Sequence, residues 1–315
     1  MDKRSLFGGF MYYFIVNPTS RSGKGIKIWE KVEKLLLEQN IEYEVFLLDA
    51  PNKARGLAQY FSTNLTPTTV VIVGGDGTIN EFLSGLTTYE GLTLGYIPTG
   101  SGNDFARGMH LPSKPVEALE VILAQEKFRN INIGVTSSGN SKKYFAISSG
   151  IGYDAAVCEQ VNLTSSKHFL NKLGAGKLVY LFQGLRLLFA QKPSSMRVLL
   201  DDNQLLTFEN VYFATAMNMK YEGGGFMFCP KASPVDQYLD FIVVEGLPKW
   251  KILLLLPTAL FGKHTRFQGI HIYRCKRAVV QCEEDACVHA DGEHFGYCKK
   301  VSFDLMKEKL RFIVD

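Results

Sequence analysis

The run Val70-Val71-Ile72-Val73 ends on Gly74-Gly75-Asp76-Gly77 and passes at once into a helical pattern, Thr78 to Leu86. This order of textures constrains the fold more than any other feature of the chain. The β-branched run Thr69 to Val73 reads as a central parallel strand. Glycines after it let backbone N–H groups approach an anion with no Cβ in the way. The start of a helix adds partial positive charge at the same point. The same order returns twice, in FIVNPTSRSGKG (14–25) and YIPTGSGNDFARG (96–108). Three such loops on one parallel sheet collect at its C-terminal edge, where open α/β sheets bind ligands. The first loop is not a Walker A loop, because Gly25 follows Lys24 where Ser or Thr is required. No G-x-G-x-x-G precedes a strand with a following acidic residue, which disfavours a dinucleotide dehydrogenase.

Around these loops the first 130 residues alternate strand and helix patterns. The apolar MYYFIV is a strand, Ile26 to Gln39 a helix, Tyr43 to Leu48 a strand, and a second amphipathic helix runs through Leu57 and Phe61. Thr93 to Ile97 is a further strand, and Val116 to Ala124 a closing helix. Short loops between β-α units predict a doubly wound parallel sheet. Past Asn130 short strands dominate: 130–136, 144–149, 196–200, 211–217, 239–244 and 278–282, with Gly, Asn and Pro between them. These predict a β-sandwich or barrel, with one helical insert from Leu173 to Ala190. The expected domains are an α/β nucleotide domain, 1–130, rejoined by 302–315, and a β-sandwich lipid-substrate domain, 131–301.

The bulk numbers suit this plan. A chain of 315 residues, 46% of them hydrophobic, can fill two cores. A net charge of +4 is too weak to imply nucleic acid but suits phosphates or an anionic membrane. Six cysteines without a CxxC pair predict reduced thiols in cytosol. Cys282, Cys287 and Cys298 fit no zinc spacing with the six histidines, which read by default as surface or core residues. Lys3 and Arg4 precede LFGGFMYYFIV, but no small-residue cleavage site follows. The apolar run 252–261 is too short to span a bilayer and contains Pro257.

Asp76 is the odd residue among phosphate-binding glycines, since a carboxylate repels phosphate unless it holds Mg²⁺ or a proton in transit. Alone it reads as readily as a turn or helix cap. Asp291-Gly292-Glu293 offers two carboxylates late in the chain; alone the triplet reads as an exposed turn. Asp154, after Gly150-Ile151-Gly152-Tyr153, is a further candidate and equally a cap.

Taken in order, NPTSRSGKG, GGDGTINE, IPTGSGNDFARG, SSGIGYDA and DGE resemble the bacterial diacylglycerol kinase and lipid kinase family, related to sphingosine kinases and more distantly to NAD kinases. The resemblance runs from about Tyr13 to Glu293. It implies ATP in a cleft between the two domains. ATP contacts would come from Asn17, Pro18, Thr19, Ser20, Gly23 and Lys24, from Gly74, Gly75, Gly77, Thr78 and Asn80, and from Gly100, Ser101 and Asn103. Glu293 would accept the proton, with Asp76, Asp291 and Asp154 as further catalytic carboxylates. Mg²⁺ would be held by Asp76, and a structural Mg²⁺ by Ser233, Asp236 and Tyr238. Three positions depart from the family pattern: Arg21 and Gln237 stand where Gly is usual, and Asn132 where Asp is usual on the first sandwich strand.

The expected reaction is transfer of the γ-phosphate of ATP to a lipid hydroxyl, with diacylglycerol as leading acceptor. Another lipid alcohol (a sphingoid base, phosphatidylglycerol or undecaprenol) or a non-catalytic nucleotide or lipid sensor are the alternatives. Trp250-Lys251, the apolar run 252–256, Lys263, His264 and Arg266 mix apolar and basic residues, as a segment resting on an anionic bilayer would. The expected setting is cytoplasmic, at the inner face of the membrane. A lipid substrate is the expected partner, a homodimer is one option, and nucleic acid is not expected.

Overall fold

The computed structural model describes residues 11–63, 67–163 and 192–315. The expected helix Leu173 to Ala190 lies outside them, as do Lys3 and Arg4. Two compact units are present: Met1–Gly100 with His110–Asn130 and Leu310–Asp315, and Ser101–Met109 with Ile131–Lys309.

The chain begins β1 (Tyr12–Val16), α1 (Ser20–Glu38), β2 (Tyr43–Leu47), α2 (Lys53–Thr63), β3 (Thr68–Gly74), α3 (Asp76–Leu83) and β4 (Leu92–Pro98). It continues through α4 (Asp104–Met109), α5 (Pro115–Ala124), β5 (Lys127–Ile131), β6 (Gly134–Ser138), β7 (Ser141–Phe145), β8 (Ser148–Gly152) and α6 (Tyr153–Leu163). After residue 191 come β9 (Ser194–Leu200), β10 (Gln204–Met217), β11 (Leu239–Glu245), α7 (Lys249–Ala259), β12 (Ile270–Cys275), β13 (Ala278–Ala290), β14 (Glu293–Leu305) and β15 (Leu310–Val314).

The first unit holds a six-stranded sheet in the order β2-β1-β3-β4-β15-β5. Its pairs from β2 through β15 are parallel. Alternate residues of β1, namely Tyr12, Phe14 and Val16, pack with Trp29, Val32 and Leu36 of α1 and Leu119 and Ile122 of α5. On the opposite face Tyr13 meets Phe61 of α2, with ring centroids 5.1 Å apart. With helices on both faces, β3 is buried from Thr69 to Gly74, which is why its sequence is an unbroken apolar run. Each buried Val or Ile of β3 contributes about 1.5–3 kcal/mol through burial.

The second unit is a β-sandwich of nine strands in one hydrogen-bonded network, ordered β12-β11-β10-β8-β13-β14-β6-β7, with β9 pairing β10 and β13. Its core shows the period of two expected of strands with one buried face. Met196, Val198 and Leu200 of β9, Leu239, Phe241 and Val243 of β11, and Ala278, Val280 and Cys282 of β13 all point into it. On the other side of β11, Ile242 and Val244 are covered with Leu255 of α7, so Phe241 to Val244 reads as a continuous apolar run like that of β3.

Several boundaries differ from the sequence reading. The expected strand 130–136 is two strands in two sheets, with Asn132 and Ile133 in the passage between β5 and β6. The expected strand 144–149 straddles β7 and β8, parted at Ala146 and Ile147. The expected strand 278–282 is the first half of β13, which continues to Ala290 through an irregularity between Gln281 and Ala286. The acidic run Glu283-Glu284-Asp285 is exposed there and conceals the strand. Residues 302–309 group with the second unit, because β14 runs to Leu305 and pairs β13 and β6. Only Leu310–Asp315 join the first.

Candidate active site

In the first unit the three glycine-rich loops are laced together at the C-terminal ends of β1, β3 and β4. The Asn17 side-chain Nδ2 donates to the Thr78 hydroxyl at 3.0 Å, and the Asn17 backbone N–H donates to the Val73 carbonyl at 2.9 Å. Asn17 Oδ1 accepts the Thr19 backbone N–H at 3.1 Å and its hydroxyl at 2.9 Å. The Ser20 and Thr99 hydroxyls are 2.7 Å apart, and Thr99 N–H donates to the Gly74 carbonyl at 2.7 Å. A Cβ on Gly75 would stand 3.2 Å from Cα of Gly100, so the second and third loops approach backbone to backbone. Thr78 and Asn80 are buried in α3, while Gly77 is exposed. The helix starts at Asp76, two residues before the sequence pattern indicated, with Gly75 at its N-cap. That places the half-buried Asp76 carboxylate in the first helical turn.

The first loop carries three consecutive left-handed residues, Arg21 (φ 49°), Ser22 (φ 58°) and Gly23 (φ 85°), before regular helix begins. Arg21 therefore adopts the conformation that glycine takes without strain. Pro18 lends its carbonyl to the Ile26 N–H at 3.2 Å, and Lys24 is exposed where the regular helix starts. Successive amides in such a turn form a concavity that suits phosphate.

Ser101 and Asn103 group with the second unit rather than with the loop that leads to them. Asn103 is left-handed at φ 53° and its carbonyl accepts the Arg107 N–H at 3.0 Å. Asp104, next to it, is 5% exposed. Its carboxylate pairs with Arg107 and accepts the Gly224 N–H at 2.6 Å.

The second unit gathers carboxylates around one histidine. Asp291 and Gly292 form the two-residue turn of the β13–β14 hairpin, with φ of 50° and 79° and Ala290 opposite Glu293. Asp-Gly is the pair that such a turn favours. The Asp291 carboxylate accepts the backbone N–H groups of Ala146, Ile147 and Ser148 at 2.7, 2.8 and 3.0 Å. Both its oxygens are thus committed to holding the β7–β8 connection, which makes Asp291 a positioning residue. Glu293, by contrast, is exposed at the first position of β14.

His289 is fully buried behind this turn. Its Nδ1 accepts the Gly292 N–H at 3.1 Å, which leaves the ring's other nitrogen to carry the proton. That Nε2 lies 3.3 Å from Asp154 and 3.6 Å from Glu222. Asp154 sits in the first turn of α6 and also accepts the Thr215 hydroxyl. Burial, chiefly, pushes Glu222 up to about 7, with His289 opposing and Asp154 adding to the rise. Burial, and the Gly292 N–H on Nδ1, work against protonating His289, while Asp154, Glu222 and Asp291 push its pKa up. Gly150 is required here: a Cβ would overlap Asp154 and stand 2.5 Å from the Thr215 hydroxyl.

The expected structural Mg²⁺ set does not fit. Asp236 Oδ2 pairs with Arg274 at 2.8 Å, and its Oδ1 accepts the Tyr238 N–H at 3.0 Å. Arg274 and Lys276 lie over the Tyr238 ring at 4.5 and 5.7 Å. A site whose carboxylate is already paired, with two cations beside it, does not recruit a third. Gln237 is left-handed (φ 67°), where glycine would be unstrained, and Asn132 is 2% exposed with no partner for its Nδ2. Asp76 does suit Mg²⁺, which typically takes one or two carboxylates together with phosphate oxygens.

Glu222 and His289 were not singled out by the sequence reading. Glu222 could have been noticed, since Gly223-Gly224-Gly225 follow it as another glycine-rich loop. His289 looked ordinary because its partners lie far away in sequence.

Residues 11–136 match the family model described as the diacylglycerol kinase catalytic domain. Residues 147–312 match the YegS C-terminal NAD kinase beta sandwich-like domain. The chain is 30% identical over 292 residues to a Bacillus subtilis (strain 168) protein, YtlR, named provisionally as a lipid kinase, covering 90% of this chain and 94% of that one. It is 27% identical over 280 residues to the diacylglycerol kinase of Mycobacterium tuberculosis (strain ATCC 25618 / H37Rv), covering 89% and 87%. A Bacillus anthracis str. Sterne crystal structure, provisionally titled a diacylglycerol kinase, shares the fold. Its TM-score is 0.78 over 100% of this chain and 98% of that one, at 22% identity.

Proposed function

The chain belongs to the diacylglycerol kinase family and is a lipid kinase; from that premise we propose that it transfers the γ-phosphoryl group of ATP, with Mg²⁺, to the free hydroxyl of diacylglycerol. The observation that carries this reading is the lacing of three glycine-rich loops through Asn17–Thr78, Ser20–Thr99 and Thr99–Gly74. Phosphoryl transfer asks for alignment and charge neutralisation more than for covalent help. The loop amides and the start of α3 hold the nucleotide phosphates, with Lys24, Ser101 and Asn103 as further contacts. Asp76 would hold Mg²⁺, which when bound neutralises charge on the phosphate oxygens. Glu293 takes the proton of the acceptor hydroxyl as its oxygen bonds to the γ-phosphorus and the bond to the ADP oxygen breaks. Asp291 keeps the hairpin turn that presents Glu293 in place, and Asp154 and His289 brace that turn from behind.

The test is transfer of label from γ-³²P-ATP, with Mg²⁺, into mixed micelles of diacylglycerol and other lipid alcohols. Labelled phosphatidic acid that falls by about 10²–10⁴ in Glu293→Ala is the expected result. Label in a different lipid reassigns the acceptor. No label in any lipid, with ATP still bound, overturns the reading.

Peripheral contact with an anionic bilayer belongs to the same proposal. Among the described residues no helix is long and apolar enough to cross a membrane. On and after α7, Trp250, Leu254 and Phe261 are 62%, 66% and 72% exposed, large apolar side chains left in water beside Lys251, Lys263 and Arg266. Exposed apolar groups with basic ones close by in sequence suit the headgroup boundary. Charge reversal of Lys263 and Arg266 should weaken co-sedimentation with phosphatidylglycerol vesicles; unchanged sedimentation would sink this part.

A further inference from the structure

Three side chains from three elements of the second unit meet on one spot: Glu159 of α6, Cys287 of β13 and His294 of β14. The Cys287 sulfur lies 3.6 Å from Nδ1 of His294 and 3.7 Å from Glu159. His294 Nδ1 lies 3.6 Å from the Glu159 carboxylate. The sulfur faces Oε2 of Glu159 and the imidazole nitrogen faces Oε1, so the two oxygens of one carboxylate share the contacts of the cluster. For a tetrahedral Zn²⁺, with bonds of about 2.3 Å to sulfur, about 2.1 Å to nitrogen and about 2.0 Å to oxygen, the ligand–ligand edges are about 3.4–3.6 Å. The three separations fall near these edges, and one ligand atom from each residue lies within 4.8 Å of the other two before any metal is bound.

The surroundings have the features of a built site. Cys287 is buried, Glu159 is half-buried and His294 is open to solvent, so the three ligands lie between a protected floor and an entry path. The Tyr297 hydroxyl donates to Glu159 at 2.6 Å and its ring lies 5.6 Å from that of His294. It thereby orients two ligands from outside, as second-layer partners of metal ligands do. The chemistry of the set selects the ion. One thiolate, one imidazole and one carboxylate suit Zn²⁺ and poorly suit Mg²⁺ or Ca²⁺, which prefer oxygen. Sequence spacing could not find this set, because Glu159 is 128 residues from Cys287.

We propose that Glu159, Cys287 and His294 bind a zinc-class divalent cation, with a water at the fourth position. Binding replaces the Cys287 thiol proton, which leaves to solvent, and uses the neutral imidazole of His294. The metal ties α6 to the β13–β14 hairpin, whose second strand begins with Glu293. It is separate from any Mg²⁺ that accompanies ATP, and its test does not depend on phosphoryl transfer.

The metal-stripped full chain is titrated with Co²⁺, which reports thiolate ligation by a charge-transfer band in the near ultraviolet. The expected result is one equivalent bound, a band that Zn²⁺ abolishes and millimolar Mg²⁺ does not, and loss of the band in Cys287→Ser. His294→Gln, at an exposed position, raises the Kd for Zn²⁺ at least tenfold and removes the Zn²⁺-dependent rise in Tm. Absence of the band in the parent chain overturns the proposal. So does its persistence in Cys287→Ser, which would assign it to other cysteines, or an unchanged Kd in both His294→Gln and Glu159→Gln.

Discussion

In the proposed mechanism the first unit would handle phosphate with backbone, and the second would handle protons with side chains. In the first, glycines, helix start and hydroxyl ties such as Ser20–Thr99 arrange amides at strand ends, and each piece is a strand–loop–helix unit local in sequence. In the second, Asp154, Thr215, Glu222 and His289 come from four separate places in the chain and meet around one imidazole. Backbone sites leave a local signature because glycine is demanded residue by residue. Side-chain sites leave little, because each residue type is common and only the fold brings them together.

Three experiments can break or sharpen that division. The largest effect is expected from Gly150→Ala, which forces a methyl into Asp154 and the Thr215 hydroxyl. It should destabilise the second unit by about 1–3 kcal/mol in denaturant unfolding, with ATP affinity in the folded protein within about twofold of the parent. A matching loss of ATP affinity would show that the two tasks are not separable. Next comes Asn17→Ala, which removes the Thr78 bond and the Thr19 contacts. Loss of a part-buried hydrogen bond of this kind costs about 0.5–1.5 kcal/mol. It should appear as weaker ATP binding by calorimetry, about 2–13-fold, with the pH profile of transfer unchanged. A shifted pH profile would place Asn17 in the proton chemistry instead.

The smallest effect is a pH dependence. Glu222 is pushed from an ordinary 4.5 up to about 7 in the folded chain, mainly by burial. Its contribution to stability is therefore fully present below about 4.5 and is lost as pH rises through about 7. Glu222→Gln removes that loss, so the Tm of the variant relative to the parent should be higher by a few degrees at pH 8 than at pH 5. Equal differences at both pH values would mean that Glu222 stays ionised throughout.

The same contrast governs what could be read from sequence. The parallel sheet was legible because β1, β3 and β4 are apolar runs ending on glycine or proline-glycine loops, and burial on both faces demands that pattern. The hairpin β13–β14 was only half legible. Its outer edge at Glu283-Glu284-Asp285 faces solvent, and an exposed bulge tolerates charges that period-two reasoning treats as a strand end. Asp291 and Glu293 stood side by side in sequence with nothing to rank them. Only the three amides on Asp291 separate the carboxylate that holds the turn from the one left open.

The position of β15 has a consequence for biosynthesis. Leu310–Val314 lies between β4 and β5 in the first sheet, yet the whole second unit is translated before it. The nascent parallel sheet must wait with a gap at that place, its β4 and β5 edges unpaired, while some 180 residues of sandwich emerge. The glycine-rich loops after β1, β3 and β4 would thus gain their final support only when the last strand arrives. A nascent chain stalled before Leu310 would be a substrate for chaperones rather than a half-built kinase.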